Sequence, residues 1–295
     1  MKAGYVALVG KPNVGKSTLL NSILNQKLSI VSKRPQTTRQ RVLGILTEPD
    51  YQIVFIDTPG LIEPCYALQR EMMKHAQGAL KDADVIVAIV DHVNIEEQLN
   101  AIQENVLAVV ESKPVLCALN KIDMLDGAQQ KMLEERCFSI KDFSSITPVS
   151  ATTRENLDVL LSNILNYLPE HPAYYPEDIV SDKAERFFVA ELIREKIFEL
   201  YYDEIPYASV VVVREFKERE QGKTYIRADI IVERESQKII LIGKNGEALK
   251  KLGQFARQSI ELFLEREVYL ELHVVVRKKW RNNELMLRQF GYIAS

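Results

Sequence analysis

The chain is poor in the residues that build redox and metal chemistry. It has three cysteines, Cys65, Cys117 and Cys137, an odd number without metal-ligand spacing. They are expected to be packing residues in a reduced, cytoplasmic setting. Its four histidines, His75, His92, His171 and His273, are scattered. No zinc site and no histidine-based catalysis are expected. No apolar run approaches the ~20 residues that a membrane-spanning helix needs. The longest, Val85-Ile-Val-Ala-Ile-Val90, reads as a buried strand. Met1-Lys-Ala-Gly-Tyr5 reads directly into a strand, so no signal peptide is expected. There is no internal repeat and no low-complexity stretch.

What is present suits packed cores: 46% of the 295 residues are apolar, and the length suggests two domains. Net charge is −3, which marks no general polyanion binder, but the distribution is uneven. Residues 1–170 carry 17 Lys+Arg against 20 Asp+Glu, and residues 171–235 carry 10 against 15. Residues 236–295 reverse the sign, with 11 against 6. Local fields govern partner choice more than the total does.

Short apolar strands at 5–9, 42–46, 52–56, 85–90, 115–119 and 146–149 alternate with helical spacing at 16–25, 65–80, 95–111, 128–139 and 154–168. This predicts an α/β domain, a mostly parallel sheet with helices on both faces. Ligands in such folds sit at the carboxyl ends of the strands. Residues 26–41 read as a long mobile loop. Pro169, Pro172 and Pro176 mark 169–182 as a semi-rigid linker between a domain at 1–168 and one at 183–295. Beyond it the order is helix (183–202), strand, strand, short helix or turn, helix (246–264) and strand (268–276).

Gly10-Lys-Pro-Asn-Val-Gly-Lys16-Ser17 fits G-x-x-x-x-G-K-[ST]. The pattern makes a loop, Lys11, Pro12, Asn13, Val14 and Gly15 included, whose backbone N–H groups (Pro12 has none) feed a helix N-terminus and cradle phosphate. Lys16 is expected on the β- and γ-phosphates, Ser17 on Mg²⁺, and Thr18 at the helix start. Asp57-Thr58-Pro59-Gly60-Leu61 follows the strand 53–56. Asp57 there can hold Mg²⁺ through water, and the Gly60 N–H can meet a γ-phosphate. Thr37 and Thr38, within Pro35-Gln-Thr-Thr-Arg39, offer the hydroxyl that completes the metal shell; Thr38 is favoured. Loss of the γ-phosphate would release this loop, as in a switch.

Asn120-Lys-Ile-Asp123 follows the strand 115–119. Guanine presents two adjacent donors, and one carboxylate, Asp123, can accept both. Asn120 can brace the loop and Lys121 can lie over the ring. Ser150 and Ala151 offer a small residue and an N–H for the guanine O6. A P-loop kinase needs an acceptor pocket and has no use for Asn120–Asp123. A passive RNA-binding module has no use for Lys16, Ser17, Asp57 and Asp123.

These elements, in this order, resemble the translation-factor class of small GTPases (TrmE-Era-EngA-like) over 1–168. Leu61 stands where Ras-like proteins carry the glutamine that orients the attacking water, and an aliphatic side chain cannot replace it. Asn13 resembles the asparagine of GTPases that bind K⁺ beside the phosphates.

In the second domain Ile242-Gly243-Lys244-Asn245-Gly246 is a G-x-x-G loop opening a helix. KH domains use such a loop to clamp single-stranded nucleic acid. Lys238, Lys244, Lys250, Lys251 and Arg257 surround it, and Arg277-Lys278-Lys279-Trp280-Arg281 adds cations and an aromatic face. Trp280 either stacks on a base or anchors the strand end in the core. With Phe187–Glu195, Ile205-Pro-Tyr207 and Val232-Glu-Arg234, the chain resembles the Era family of bacterial GTPases from end to end. The resemblance implies a G domain followed by an α+β type II KH domain with its core at about 201–280. It implies Mg²⁺-dependent binding and hydrolysis of GTP, with K⁺ as a second cation. It also implies binding to the 3′ end of 16S rRNA, a role in small-subunit assembly, cytoplasmic location with peripheral inner-membrane association, and no obligate oligomer.

Overall fold

The structure is a computed structural model. It describes residues 1–32, 34–110, 112–140, 142–218 and 222–293. Contacts divide the chain into two units, Met1–Pro64 with Met72–Asp182, and Cys65–Glu71 with Lys183–Ser295.

In the first unit the elements run β1 (Lys2–Val9), α1 (Lys16–Leu24), β2 (Val42–Glu48), β3 (Tyr51–Asp57) and α2 (Ala67–Asp82). They continue as β4 (Val85–Val90), α3 (Ile95–Ile102), β5 (Val115–Leu119), α4 (Gly127–Phe138), β6 (Ser145–Pro148) and α5 (Leu157–Tyr167). The first turn of α2 belongs by contacts to the second unit. The sheet order is β2-β3-β1-β4-β5-β6. Only β2 is antiparallel to its neighbour. Alternate residues of each strand enter different cores. Val54, Ile56, Ile86, Ala88 and Val90 lie in one, while Ile53, Phe55, Val85, Val87 and Ile89 lie in the other. Both faces are therefore covered, as a parallel sheet requires. The helical spacing at 95–111 resolves into α3 and a π-helical turn, Gln103–Leu107.

Register decides where chemistry can gather. Leu8 pairs with Asp57, Val9 with Ala88, and Val90 with Leu119. Gly10, Thr58, Asp91 and Asn120 consequently leave the sheet along one edge.

The stretch read as a linker is not a free connector. Ala3 N–H donates to Pro169 O (3.1 Å), and Ile45 N–H to Val180 O (2.9 Å). The Ser181 hydroxyl donates to Leu43 O (2.6 Å). The fully buried Gln52 amide accepts from Tyr174 and Tyr175 N–H (2.7 and 3.0 Å) and donates to Tyr175 O (2.8 Å). The prolines lack an N–H and cannot join a helix ladder, so the N–H and C=O groups of the strap find partners on the sheet instead.

The second unit contains α6 (Glu185–Leu200), α7 (Ile205–Ala208), β7 (Val210–Lys217), β8 (Thr224–Val232), α8 (Glu235–Ile242), α9 (Glu247–Leu264), β9 (Val268–Val276) and α10 (Glu284–Gln289). β7 and β8 are antiparallel, β8 and β9 parallel. Buried side chains of α6, α9 and the three strands form one core. The first of the two expected strands starts only at Val210, because Ile205–Ala208, with Pro206 in its first turn, forms the short α7. Among the described residues no helix is long and apolar enough to cross a membrane.

Candidate functional site

The loop between β1 and α1 is built on positive-φ residues, Gly10 (152°), Asn13 (67°) and Gly15 (100°). At Gly15 a Cβ would lie 2.2 Å from the Asn120 side-chain nitrogen, so only glycine fits. Lys16 folds back over the loop, its ammonium donating to the carbonyls of Gly10 (3.0 Å) and Lys11 (2.8 Å). Burial pulls Lys16 down to about 8, against the pull of the nearby Asp57 carboxylate. The loop, Thr18, Gln36–Thr38, Gly60 and Lys121 line a cavity of about 730 Å³.

Three oxygen-bearing side chains meet at its base. The Ser17 hydroxyl donates to Asp57 Oδ2 (2.8 Å) and lies 2.9 Å from Thr38 Oγ1, which in turn donates to Asp57 Oδ2 (3.2 Å). Asp57 Oδ1 is buried without a hydrogen-bond partner. Burial pushes the Asp57 carboxyl up, and Lys16 opposes this. An orphaned, buried carboxylate oxygen beside two hydroxyls is an all-oxygen donor set that fits a hard cation such as Mg²⁺. Thr37 lines the same cavity, but it is the Thr38 hydroxyl that joins this group. Thr58 is turned away, donating to Leu8 O (2.7 Å). Pro59 and Gly60 are buried beside it, and a Cβ on Gly60 would lie 2.7 Å from the Pro12 nitrogen, so this segment packs on the phosphate loop. The Leu61 N–H donates to Gly10 O (3.0 Å) and its side chain is in the core.

The expected base-reading residues form a second group. Asn120 donates to Val14 O (2.8 Å) and accepts the Ala151 N–H (3.0 Å). The brace is as the sequence suggests, but the Ala151 N–H expected on guanine O6 is already engaged by Asn120. Asp123 is exposed, with one oxygen accepting from the Ser150 hydroxyl (2.6 Å). Lys121 reaches the Asn13 carbonyl (2.7 Å). Asp91 and Gln98, absent from the sequence reading, complete this group. The signal for Asp91 was its position at the carboxyl end of an apolar parallel strand, like Asp57 and Asn120.

In the second unit α8 ends at Gly243 (φ 70°), and α9 begins after Gly246 (φ 79°). A Cβ at Gly243 would lie 2.6 Å from that of Ala248. Ile242 is half-buried, while Lys244, Asn245 and Lys250 are exposed around the loop. After β9, Arg277, Lys278 and Lys279 are exposed. The other two residues of that run have partners inside the unit, and for Trp280 this overturns the expected RNA contact. Trp280 is fully buried, its indole N–H donates to Ala208 O (2.9 Å), and it packs against Phe290 and Tyr292. It is a core anchor with no face for a base. Arg281 is ion-paired with Glu233 and stacked over Tyr66.

Comparison with known proteins bears on both sites. A family model described as 50S ribosome-binding GTPase matches residues 5–121, and a KH-domain model matches residues 204–281. GTPase Era of Clostridium botulinum is 43% identical over 301 residues, covering 99% of this chain and 98% of its own. The chain belongs to the Era family of GTPases. It is thus a GTPase, converting GTP and water to GDP and phosphate. The chloroplastic GTPase ERA-like protein of Oryza sativa subsp. japonica is 45% identical over 99% of this chain and 69% of its own. Two Era crystal structures cover 99% of both chains. One is an Aquifex aeolicus Era variant bound to GDP·AlF₄⁻, at TM-score 0.94 and 41% identity. The other is Era with MgGDPNP and nucleotides 1506–1542 of 16S rRNA, at TM-score 0.93 and 42% identity. The Era family fold, a P-loop domain followed by a KH domain, is the fold described above.

Proposed function

We propose that this GTPase is a switch that binds the 3′ end of 16S rRNA and acts in assembly of the small ribosomal subunit. The observation that carries the switch is the meeting of Ser17, Thr38 and Asp57. It ties the loop segment that carries Thr38 to the phosphate loop through groups suited to Mg²⁺. Ser17 and Thr38 would hold the ion directly and Asp57 through water. The chemistry such an ion would supply there is positive charge beside the phosphates. The residues of this chain do the rest. Lys16 turns from the loop carbonyls to the phosphates. The Gly60 N–H meets the γ-phosphate, and Asp123 reads the guanine edge with Ser150 holding its carboxylate. The RNA reading is supported by the G-x-x-G loop, the exposed Lys244, Lys250, Arg277, Lys278 and Lys279, and the solved relative bound to 16S rRNA. Turnover by the full chain should rise when single-stranded RNA carrying the rRNA 3′ end is added. Absence of both RNA binding and stimulation would rule the reading out.

Leu61 leaves the attacking water without a side-chain partner from that position. Asn13, exposed on the loop, would help hold K⁺ beside the phosphates. Turnover is expected to be faster in K⁺ than in Na⁺ buffer, and equal rates would remove that cation from the reading. The protein would work in the cytoplasm as a monomer, with peripheral contact at the inner membrane, which cell fractionation would detect.

A further inference from the structure

We infer that Asp91 and Gln98 are positioning residues for the nucleotide site, acting through Lys121. The inference rests on the guanine reading of Asn120–Asp123. Asp91 leaves the end of β4 and is 3% exposed. Its carboxylate accepts from Lys121 Nζ (2.5 Å), Gln98 Nε2 (2.7 Å) and the Val93 N–H (2.9 Å). Gln98 is itself buried on α3, and its oxygen accepts the Asp91 N–H (2.9 Å). The amide therefore grips Asp91 at both backbone and side chain and leaves its carboxylate one orientation.

That orientation controls two distant loops at once. The Lys121 ammonium lies between Asp91 and the Asn13 carbonyl (2.7 Å). Lys121 and Asn13 both have positive φ, 65° and 67°. Non-glycine residues persist there only when surrounding contacts over-determine them. One cation supplies such a contact to both, joining the base-reading loop to the phosphate loop. A buried carboxylate accepts only, so a cation is its natural partner, and removing that carboxylate frees the ammonium. The lysine stem, which should cover the guanine ring, then loses its fixed path.

A merely structural role for Asp91, holding the turn through the Val93 N–H, makes a different prediction. Asp91→Asn keeps an oxygen for that N–H and removes the charge. GDP affinity of the full chain, read by fluorescence titration, should fall roughly tenfold in Asp91→Asn, the equivalent of one charged hydrogen bond. In a Lys121→Met background the same change should cost less than about twofold, because the shared partner is gone. Equal penalties in the two backgrounds, or unchanged affinity in the single variant, would overturn the inference. If Asp91→Asn does not fold, Gln98→Met takes its place in the same cycle with the same two criteria. Asp123→Asn tests the guanine reading separately, since it should move preference from GDP to XDP. Failure there sinks that reading and leaves the Asp91–Lys121 coupling to be judged by its own cycle.

Discussion

Gly15 sits where the phosphate loop presses on the base-reading loop. Its φ of 100° and the 2.2 Å approach of Asn120 to any added Cβ are independent obstacles to another side chain. Gly15→Ala must displace the Asn120 amide, which holds Val14 and Ala151 together. Backbone strain alone at such a position is about 1–3 kcal/mol, so GDP affinity should fall about tenfold or more. Titration with a fluorescent GDP analogue checks this, and wild-type affinity would show that the two loops are not coupled as described. At this scale the motif residues were legible because backbone geometry demands glycine and phosphate demands lysine, whatever surrounds them. What the spacing did not reveal was which partner a group meets. The Ala151 N–H is engaged by Asn120, Arg281 by Glu233, and Asp91 by Lys121. Those pairings depend on strand register across the sheet, which no local pattern encodes.

Among elements, the strands and helices of the first unit follow the sequence closely, since alternation and helical spacing directly reflect burial. The strap at 169–182 is the exception. Its prolines and tyrosines look like a spacer, and its anchor is one amide in a different element. Gln52 stands in β3 opposite Thr47 of β2 and donates to the threonine hydroxyl (2.9 Å) while gripping Tyr174 and Tyr175. Gln52→Leu has nearly the right volume and none of the hydrogen bonds. It leaves two N–H groups and a carbonyl of the strap without partners, at about 1–3 kcal/mol for each that stays buried. Chemical denaturation of the full chain should show a loss of at least about 2 kcal/mol in the first unit. Limited proteolysis should speed up between residues 170 and 180. Unchanged stability and unchanged cleavage would mean that the strap is held mainly by its backbone bonds to β1 and β2. Trp280 makes the related point in the second unit. An aromatic among cations reads as a nucleic-acid contact, yet the Ala208 carbonyl and two aromatic rings claim it for the core.

For the whole molecule, a net charge of −3 conceals a basic last sixty residues, and RNA affinity should follow that local charge. Each phosphate contact that releases a counterion adds about −0.7 to the slope of log affinity against log salt for a single strand. The stronger constraint is thermodynamic. If GTP favours RNA engagement by some factor, RNA must favour GTP by the same factor, because the coupling free energy is a property of the doubly bound state. A coupling of typical size, about 1–3 kcal/mol, corresponds to about 5–150-fold. We expect the full chain to bind single-stranded RNA with the rRNA 3′ end more tightly with a non-hydrolysable GTP analogue than with GDP. Saturating RNA should tighten the analogue relative to GDP by that same factor. Both arms are measured at one salt concentration, since salt alone shifts RNA affinity. Equal RNA affinity in the two nucleotide states would refute the switch. Because the two factors must be equal at equilibrium, a mismatch would mean that one arm had not equilibrated.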